Sequence, residues 1–188
     1  MTETKLISTL NEENLPHLNK TTVPSRLLLG PGPSNAHPEV LKALSLNPIG
    51  HLDEAYIELM SDVQALLRYT WQCNNRITLP MSGTGSAAME ASIANFIEPG
   101  EKILIAKKGY FGDRLKDMAS RYKADVIVMD KEWGDAFDFQ EIKHAIETNK
   151  PAIFAIVHAE TSTGVLQPLE GIGDVCRDND CLFLVDAV

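Results

Sequence analysis

Short, continuously apolar runs alternate, from residue 77 onward, with stretches whose apolar residues recur at steps of three and four. The runs Ile77–Met81, Ile103–Ala106, Val126–Met129, Ala152–Val157 and Leu182–Val185 predict strands. The stretches Ala87–Phe96, Asp113–Tyr122, Phe139–Thr148 and Leu169–Arg177 predict the helices between them. Strands without polar alternation are buried on both faces, so the pattern predicts an α/β fold: a mostly parallel sheet with helices on both faces. Ahead of it, Tyr56, Leu59, Met60, Val63, Leu66, Leu67 and Trp71 mark one helix between Asp53 and Trp71 with a single buried face. Residues 1–25 carry many Asn, Glu, Thr and Ser without a period and predict an extended or disordered N-terminal arm, which leaves 26–188 as the body. The last predicted strand runs into Asp186-Ala187-Val188 with neither helix nor turn behind it. A natural domain rarely stops there, so we expect a truncated domain, the first part of a longer polypeptide.

Ligands of parallel sheets sit at the carboxyl ends of the strands, which directs attention to the segments that follow them. Ser82-Gly83-Thr84-Gly85-Ser86 lies between the first predicted strand and the helix-forming run from Ala87. A strand that turns through two glycines into a helix aims unpaired amide groups and the positive end of the helix dipole at one point, a site for phosphate. Gly30-Pro31-Gly32-Pro33 forms a rigid turn after Leu27–Leu29 that holds the backbone open to a ligand.

Composition narrows the partners. The 188 residues are 44% hydrophobic and 23% charged, the make-up of a globular protein, and the formal net charge of -9 with no basic stripe argues against nucleic acid and anionic membrane. Cys73, Cys176 and Cys181 are odd in number and not in metal-ligand spacing, so they read as reduced thiols of a cytoplasmic protein, with no metal site. Met1–Lys20 is polar and has no apolar core of signal-peptide length.

Two chemistries compete for the glycine loop. Gly83-Thr84-Gly85-Ser86-Ala87-Ala88 fits the G-x-G-x-x-A pattern of dinucleotide folds. The next strand, however, ends in Lys107-Lys108 where an NAD site needs an acid; the lysines suit a 2′-phosphate, which keeps an NADP-dependent oxidoreductase as an alternative. The other reading uses three more strand ends. Gly109-Tyr110-Phe111-Gly112 offers aromatics, His158-Ala159-Glu160-Thr161-Ser162-Thr163-Gly164 offers hydroxyls, and Asp186 a carboxylate. Phosphate cradle, aromatic platform, hydroxyl and carboxylate together are what pyridoxal phosphate requires, the carboxylate keeping the pyridine nitrogen protonated.

The order LLLGPGPSN, SGTGSAAMEA, GYFGDR, HAETSTGVLQPL and LFLVDAV over residues 26–188 resembles the class V pyridoxal-phosphate aminotransferases, above all the alanine–glyoxylate and serine–glyoxylate enzymes. The resemblance implies the large domain of a fold-type I transferase, a homodimer in the full-length form, and transamination between a small amino acid, alanine or serine, and glyoxylate or a similar 2-oxo acid. By position it implies that Thr84, Gly85 and Ser86 bind the phosphate and that Phe111 stacks on the pyridine ring, where relatives often have Trp. It further implies that Thr161 hydrogen-bonds the coenzyme, that Asp186 pairs with the pyridine nitrogen, and that Gly32 in the GPGP turn lines the substrate side. A cysteine desulfurase, another branch of the class, places a histidine at the position of Phe111. The Schiff-base lysine and the small-domain arginine of the family fall beyond Val188, so no catalytic residue is assigned in this chain and residues 1–188 alone are expected to be inactive. A non-catalytic binding subunit or remnant, of the hydrogenase-associated type, stays open beside the enzyme.

Overall fold

Successive side chains of a strand point to opposite faces. In the computed structural model, which describes residues 24–188, the central strands send alternate residues into two different cores. Strand β1 (Lys102–Lys107), β2 (Asp125–Asp130), β3 (Ile153–Val157) and β6 (Leu182–Asp186) form one sheet in the order β2-β1-β3-β6, all neighbours parallel. A short antiparallel hairpin, β4 (Ala159–Glu160) with β5 (Val165–Leu166), follows β3 directly. The helices are α1 (Pro38–Leu44), α2 (Glu54–Trp71), α3 (Gly85–Phe96), α4 (Tyr110–Arg121), α5 (Phe139–Asn149) and α6 (Ile172–Asp178).

On one face Ile103 and Ile105 of β1 and Ile153, Ala155 and Val157 of β3 pack on Met89 and Ile93 of α3 and Leu115 and Ala119 of α4. On the other, Leu104, Ala106, Phe154 and Ile156 pack on Ile142 and Ile146 of α5 and Ile172, Val175 and Cys176 of α6. Burial of this many branched side chains, each contributing about 1.5–3 kcal/mol, is what holds the layers. The helices therefore do cover both faces, as the apolar runs predict. Parallel pairing puts all carboxyl ends on one side, with Val157 level with Asp186 and Lys107 level with Asp130. No helix among the described residues is long and apolar enough to cross a membrane.

The chain divides between Asn47 and Pro48. In the first unit, the Asn35 side chain accepts from the Leu28 amide at 2.8 Å and donates to the Arg26 carbonyl at 2.9 Å, closing the turn that contains Gly32. The expected arm over residues 1–25 lies outside the described residues except for its last two.

Two expectations are corrected. Ile77–Met81 is no strand: Ile77 and Met81 are 73% and 55% exposed and no ladder partner reaches them among the described residues. Pro80 removes a ladder donor from the run, and a strand without a neighbour leaves its amides and carbonyls to water. Helix α2 forms where its period predicts, behind an Asp53 cap, but its apolar face is not buried; Tyr56, Met60, Val63 and Leu67 are half-covered while Leu66 and Trp71 are 65% and 62% exposed. Period reports which residues share a face, not how much surface stands opposite it.

Candidate functional site

The glycine loop is built by backbone geometry. Gly83 has φ 154, and a Cβ there would stand 2.9 Å from the Ala87 Cβ, so both conformation and space demand glycine. Gly83→Ala in the complete protein should therefore cost roughly 1–3 kcal/mol of unfolding free energy, read from urea denaturation. The loop delivers Thr84 as N-cap of α3, and the Thr84 side chain makes no capping bond to its own helix. By contrast α2 and α5 are closed by Asp53 and Asp138. A helix start with an unengaged hydroxyl and free amides is suited to an external anion.

The aromatic wall comes from the first turn of α4, not from a loop after β1, because Tyr110, Phe111 and Gly112 already belong to that helix. The rings of Tyr110 and Phe111 meet edge to face, centroids 5.4 Å apart, and Phe111 is the one that lines the cavity described below. The hydroxyls after β3 are likewise sorted. Ser162 Oγ donates to Glu160 Oε1 at 2.6 Å and accepts from the Tyr110 amide at 3.0 Å, and Thr163 Oγ1 donates to the Glu160 carbonyl. Thr161 is left facing the cavity. His158 closes the base of the hairpin, its Nδ1 donating to the Gln167 carbonyl at 2.8 Å while the Gln167 amide returns to the His158 carbonyl at 2.7 Å.

Gly85, Ser86, Met89, Phe111, Val157, Ala159, Thr161, Asp186 and Val188 enclose a cavity of about 190 Å³ at the carboxyl ends of β3 and β6. Five of the residues predicted to hold a coenzyme thus share one space, with Thr84 adjacent in sequence to Gly85; Gly32 lies in the first unit, in an exposed turn with nothing within 4 Å of its absent Cβ. Burial pushes the Asp186 carboxyl above the usual carboxylate range, the Val188 amide draws it back, and the negative charge of Glu160 pushes it further up. A carboxylate so placed is stabilised by a protonated nitrogen. Apolar walls for a flat ring, a helix start at one side and this acid at another fit pyridoxal phosphate by the chemistry of the donor set.

The lysines after β1 do not stand free for a 2′-phosphate. Lys107 Nζ lies 2.8 Å from Asp130 and 3.5 Å from Asp113, and the Asp130 hydrogen bond leads in raising its pKa. Lys108 is 1% exposed, donates to the Val165 carbonyl at 3.2 Å, and is lowered by burial against the opposing pull of Glu160. That removes the observation on which the NADP alternative rested.

A parallel α/β sheet whose strand ends gather a helix start with free amides, an aromatic ring and a half-buried carboxyl has the fold and the donor set of the coenzyme-binding domain of the pyridoxal-phosphate transferases. Residues 27–188 match the sequence profile described as "Aminotransferase class-V", and the chain belongs to that family of pyridoxal-phosphate enzymes. It is 42% identical over 167 residues to the alanine–glyoxylate aminotransferase of Mus musculus, covering 89% of this chain and 40% of that protein. It is also 42% identical over 165 residues to the (S)-ureidoglycine–glyoxylate transaminase of Bacillus subtilis (strain 168), covering 88% and 40%. The crystal structure of an alanine–glyoxylate aminotransferase from Nostoc sp. superposes with a TM-score of 0.88 at 57% identity, over 94% of this chain and 47% of that one. The chain thus spans about 40% of the length of the curated relatives it matches.

Sequence reasoning missed Glu160, which is 1% exposed beside the site, and the apolar floor of Met89 and Val157. The floor residues read as ordinary core positions. Glu160 stands three residues past β3, in the hairpin strand β4, and its amide partners at the start of α4 lie 48 and 49 residues earlier in the chain, so no local signal marked it.

Proposed function

We propose that the complete protein is a pyridoxal-phosphate-dependent aminotransferase that moves the amino group of a small amino acid, alanine or serine, onto glyoxylate or a similar small 2-oxo acid, and that it works as a homodimer in the cytoplasm. What carries the reading is the gathering of Gly85, Ser86, Phe111, Thr161 and Asp186 around one cavity in a chain of the class V family. The names of the relatives supply the 2-oxo acid, since both the mouse and the Bacillus subtilis proteins are named for glyoxylate. Three free thiols support the cytoplasm.

The roles follow from position. The Gly85 and Ser86 amides, with the Thr84 and Ser86 hydroxyls, take the phosphate at the start of α3, where the helix dipole favours an anion. Phe111 covers one face of the ring and excludes water from it; Thr161 gives the ring's polar edge a hydrogen-bond partner. Asp186, once ionised, holds a proton on the pyridine nitrogen, and that pairing reverses the penalty burial places on its charge. Bound there, the coenzyme supplies an electron-poor ring that takes up the charge left when the α-proton of an amino acid is removed. Neither Lys107 nor Lys108 lines the cavity, and both have partners elsewhere, so neither is a candidate for moving that proton.

The test is donor-dependent formation of glycine from glyoxylate by the complete protein, with and without added coenzyme. Glycine production with alanine or serine that depends on pyridoxal phosphate is the expected result. No amino transfer from either donor, in a preparation that retains the coenzyme, would overturn the substrate assignment.

A further inference from the structure

The first three amides of an α-helix have no partner within the helix, and in α4 all three are taken by two residues of one distant loop. The Tyr110 amide donates to Ser162 Oγ at 3.0 Å, the Phe111 amide to Glu160 Oε1 at 3.4 Å, and the Gly112 amide to Glu160 Oε2 at 3.4 Å. Glu160 Oε1 also accepts from the Ser162 hydroxyl at 2.6 Å and the Ser162 amide at 3.3 Å. The carboxylate lies against the backbone of Gly109, where a Cβ would come within 2.5 Å of its Cδ and Cγ and 2.6 Å of Ser162 Oγ. Gly109 is extended, at φ 174, so it is the space and not the conformation that requires glycine there.

These bonds join the two elements that face each other in the cavity. Phe111 is fastened through its own amide, and Thr161 sits between the two residues that do the fastening. Neither Glu160 nor Ser162 lines the cavity itself. We propose that Glu160, through Ser162, is a positioning residue of the coenzyme site, setting the separation of the Phe111 ring and the Thr161 hydroxyl by clamping the β4–β5 hairpin onto the start of α4. The inference rests on the coenzyme reading above and adds to it a residue that touches no ligand.

A carboxylate is needed because two oxygens serve four donors. In Glu160→Gln one of those oxygens becomes an amide nitrogen that faces a backbone N–H and can only repel it. The loss of negative charge acts in the other direction on the coenzyme, since the Glu160 charge pushes the Asp186 carboxyl up and its removal favours the ionised form. Weaker coenzyme binding in this variant therefore reports geometry and not a field on Asp186.

The experiment compares wild type, Glu160→Gln and Ser162→Ala in the complete protein, by titration with pyridoxal phosphate and by the circular dichroism that the bound coenzyme acquires in the visible range. We expect the coenzyme Kd to rise about tenfold in Glu160→Gln and about threefold in Ser162→Ala, with a weaker or altered dichroic band in both. Should Glu160→Gln fail to fold, the milder Ser162→Ala decides. A lower melting temperature with unchanged Kd and unchanged dichroism would show that the clamp only stabilises the fold, and would overturn the inference while leaving the coenzyme reading intact. A wild-type protein that does not bind pyridoxal phosphate would overturn the coenzyme reading, and this inference with it.

Discussion

Asp186→Asn in the complete protein should lower the rate of amino transfer about 100- to 1,000-fold, in line with the removal of a group aimed at charge that develops during the reaction. The same substitution should raise the melting temperature of the coenzyme-free protein at pH 7. Burial holds the Asp186 carboxyl above its usual range, so ionisation is harder in the folded chain than in the unfolded one. A raised carboxyl favours folding below the ordinary aspartate range, and that contribution is lost as pH climbs through the raised value; at neutral pH the charge opposes the fold. Asparagine removes the opposition. The gain should disappear when both proteins are compared in acid below the aspartate range, where the wild-type group is neutral as well. Coenzyme affinity of the wild type should fall as pH drops through the raised value, because only the ionised carboxylate pairs with a protonated nitrogen. Thermal melts with and without coenzyme across pH, beside steady-state rates, check these four statements. An Asp186→Asn protein that turns over normally removes Asp186 from the site.

Gly85→Glu should abolish retention of pyridoxal phosphate, with affinity reduced at least about 100-fold, because a carboxylate placed at the anion site repels a phosphate in a partly buried cavity. The fold has no reason to suffer. A Cβ at Gly85 meets only Val188 Cγ2, at 3.8 Å, an ordinary contact. Gly85 is the first residue of α3, where an acidic side chain interacts favourably with the helix dipole and where replacing glycine reduces the entropy lost on folding. The helix and the ligand therefore respond in opposite directions, which separates loss of the site from loss of structure. Equilibrium dialysis against the coenzyme, with far-ultraviolet circular dichroism of the same samples, gives both readings. Undiminished coenzyme retention would place the phosphate elsewhere.

The elements that the chain's pattern predicted correctly are those whose determinants are local. Ile103–Ala106, Val126–Met129, Ala152–Val157 and Leu182–Val185 each fall within a residue or two of an observed strand, and all four are central or flanking members of one sheet. Ile77–Met81 has similar composition and fails, since β structure needs a second strand and Pro80 offers none a donor. Helix α2 shows the same limit. Its period is in the sequence, but Leu66 and Trp71 stay exposed because burial depends on what the rest of the molecule places opposite. The helix that the period predicts from Asp113 begins three residues earlier, at Tyr110, where Glu160 and Ser162 satisfy its first amides.

The sequence by itself determined the succession of the four sheet strands and the helices between them, the glycine loop at the start of α3, and the acid that closes β6, because apolar period, glycine conformation and strand-end chemistry act within a few residues. Only the tertiary structure decided that Gly85, Phe111, Thr161 and Asp186 line one cavity, and that Thr161 faces it while Ser162 and Thr163 bond to Glu160. It alone buried Glu160 and Lys108 beside that cavity. Parallel strands are joined by crossovers through whole helices, so the groups that meet at their carboxyl ends are tens of residues apart in the chain, and no local signal records which of them will face one another.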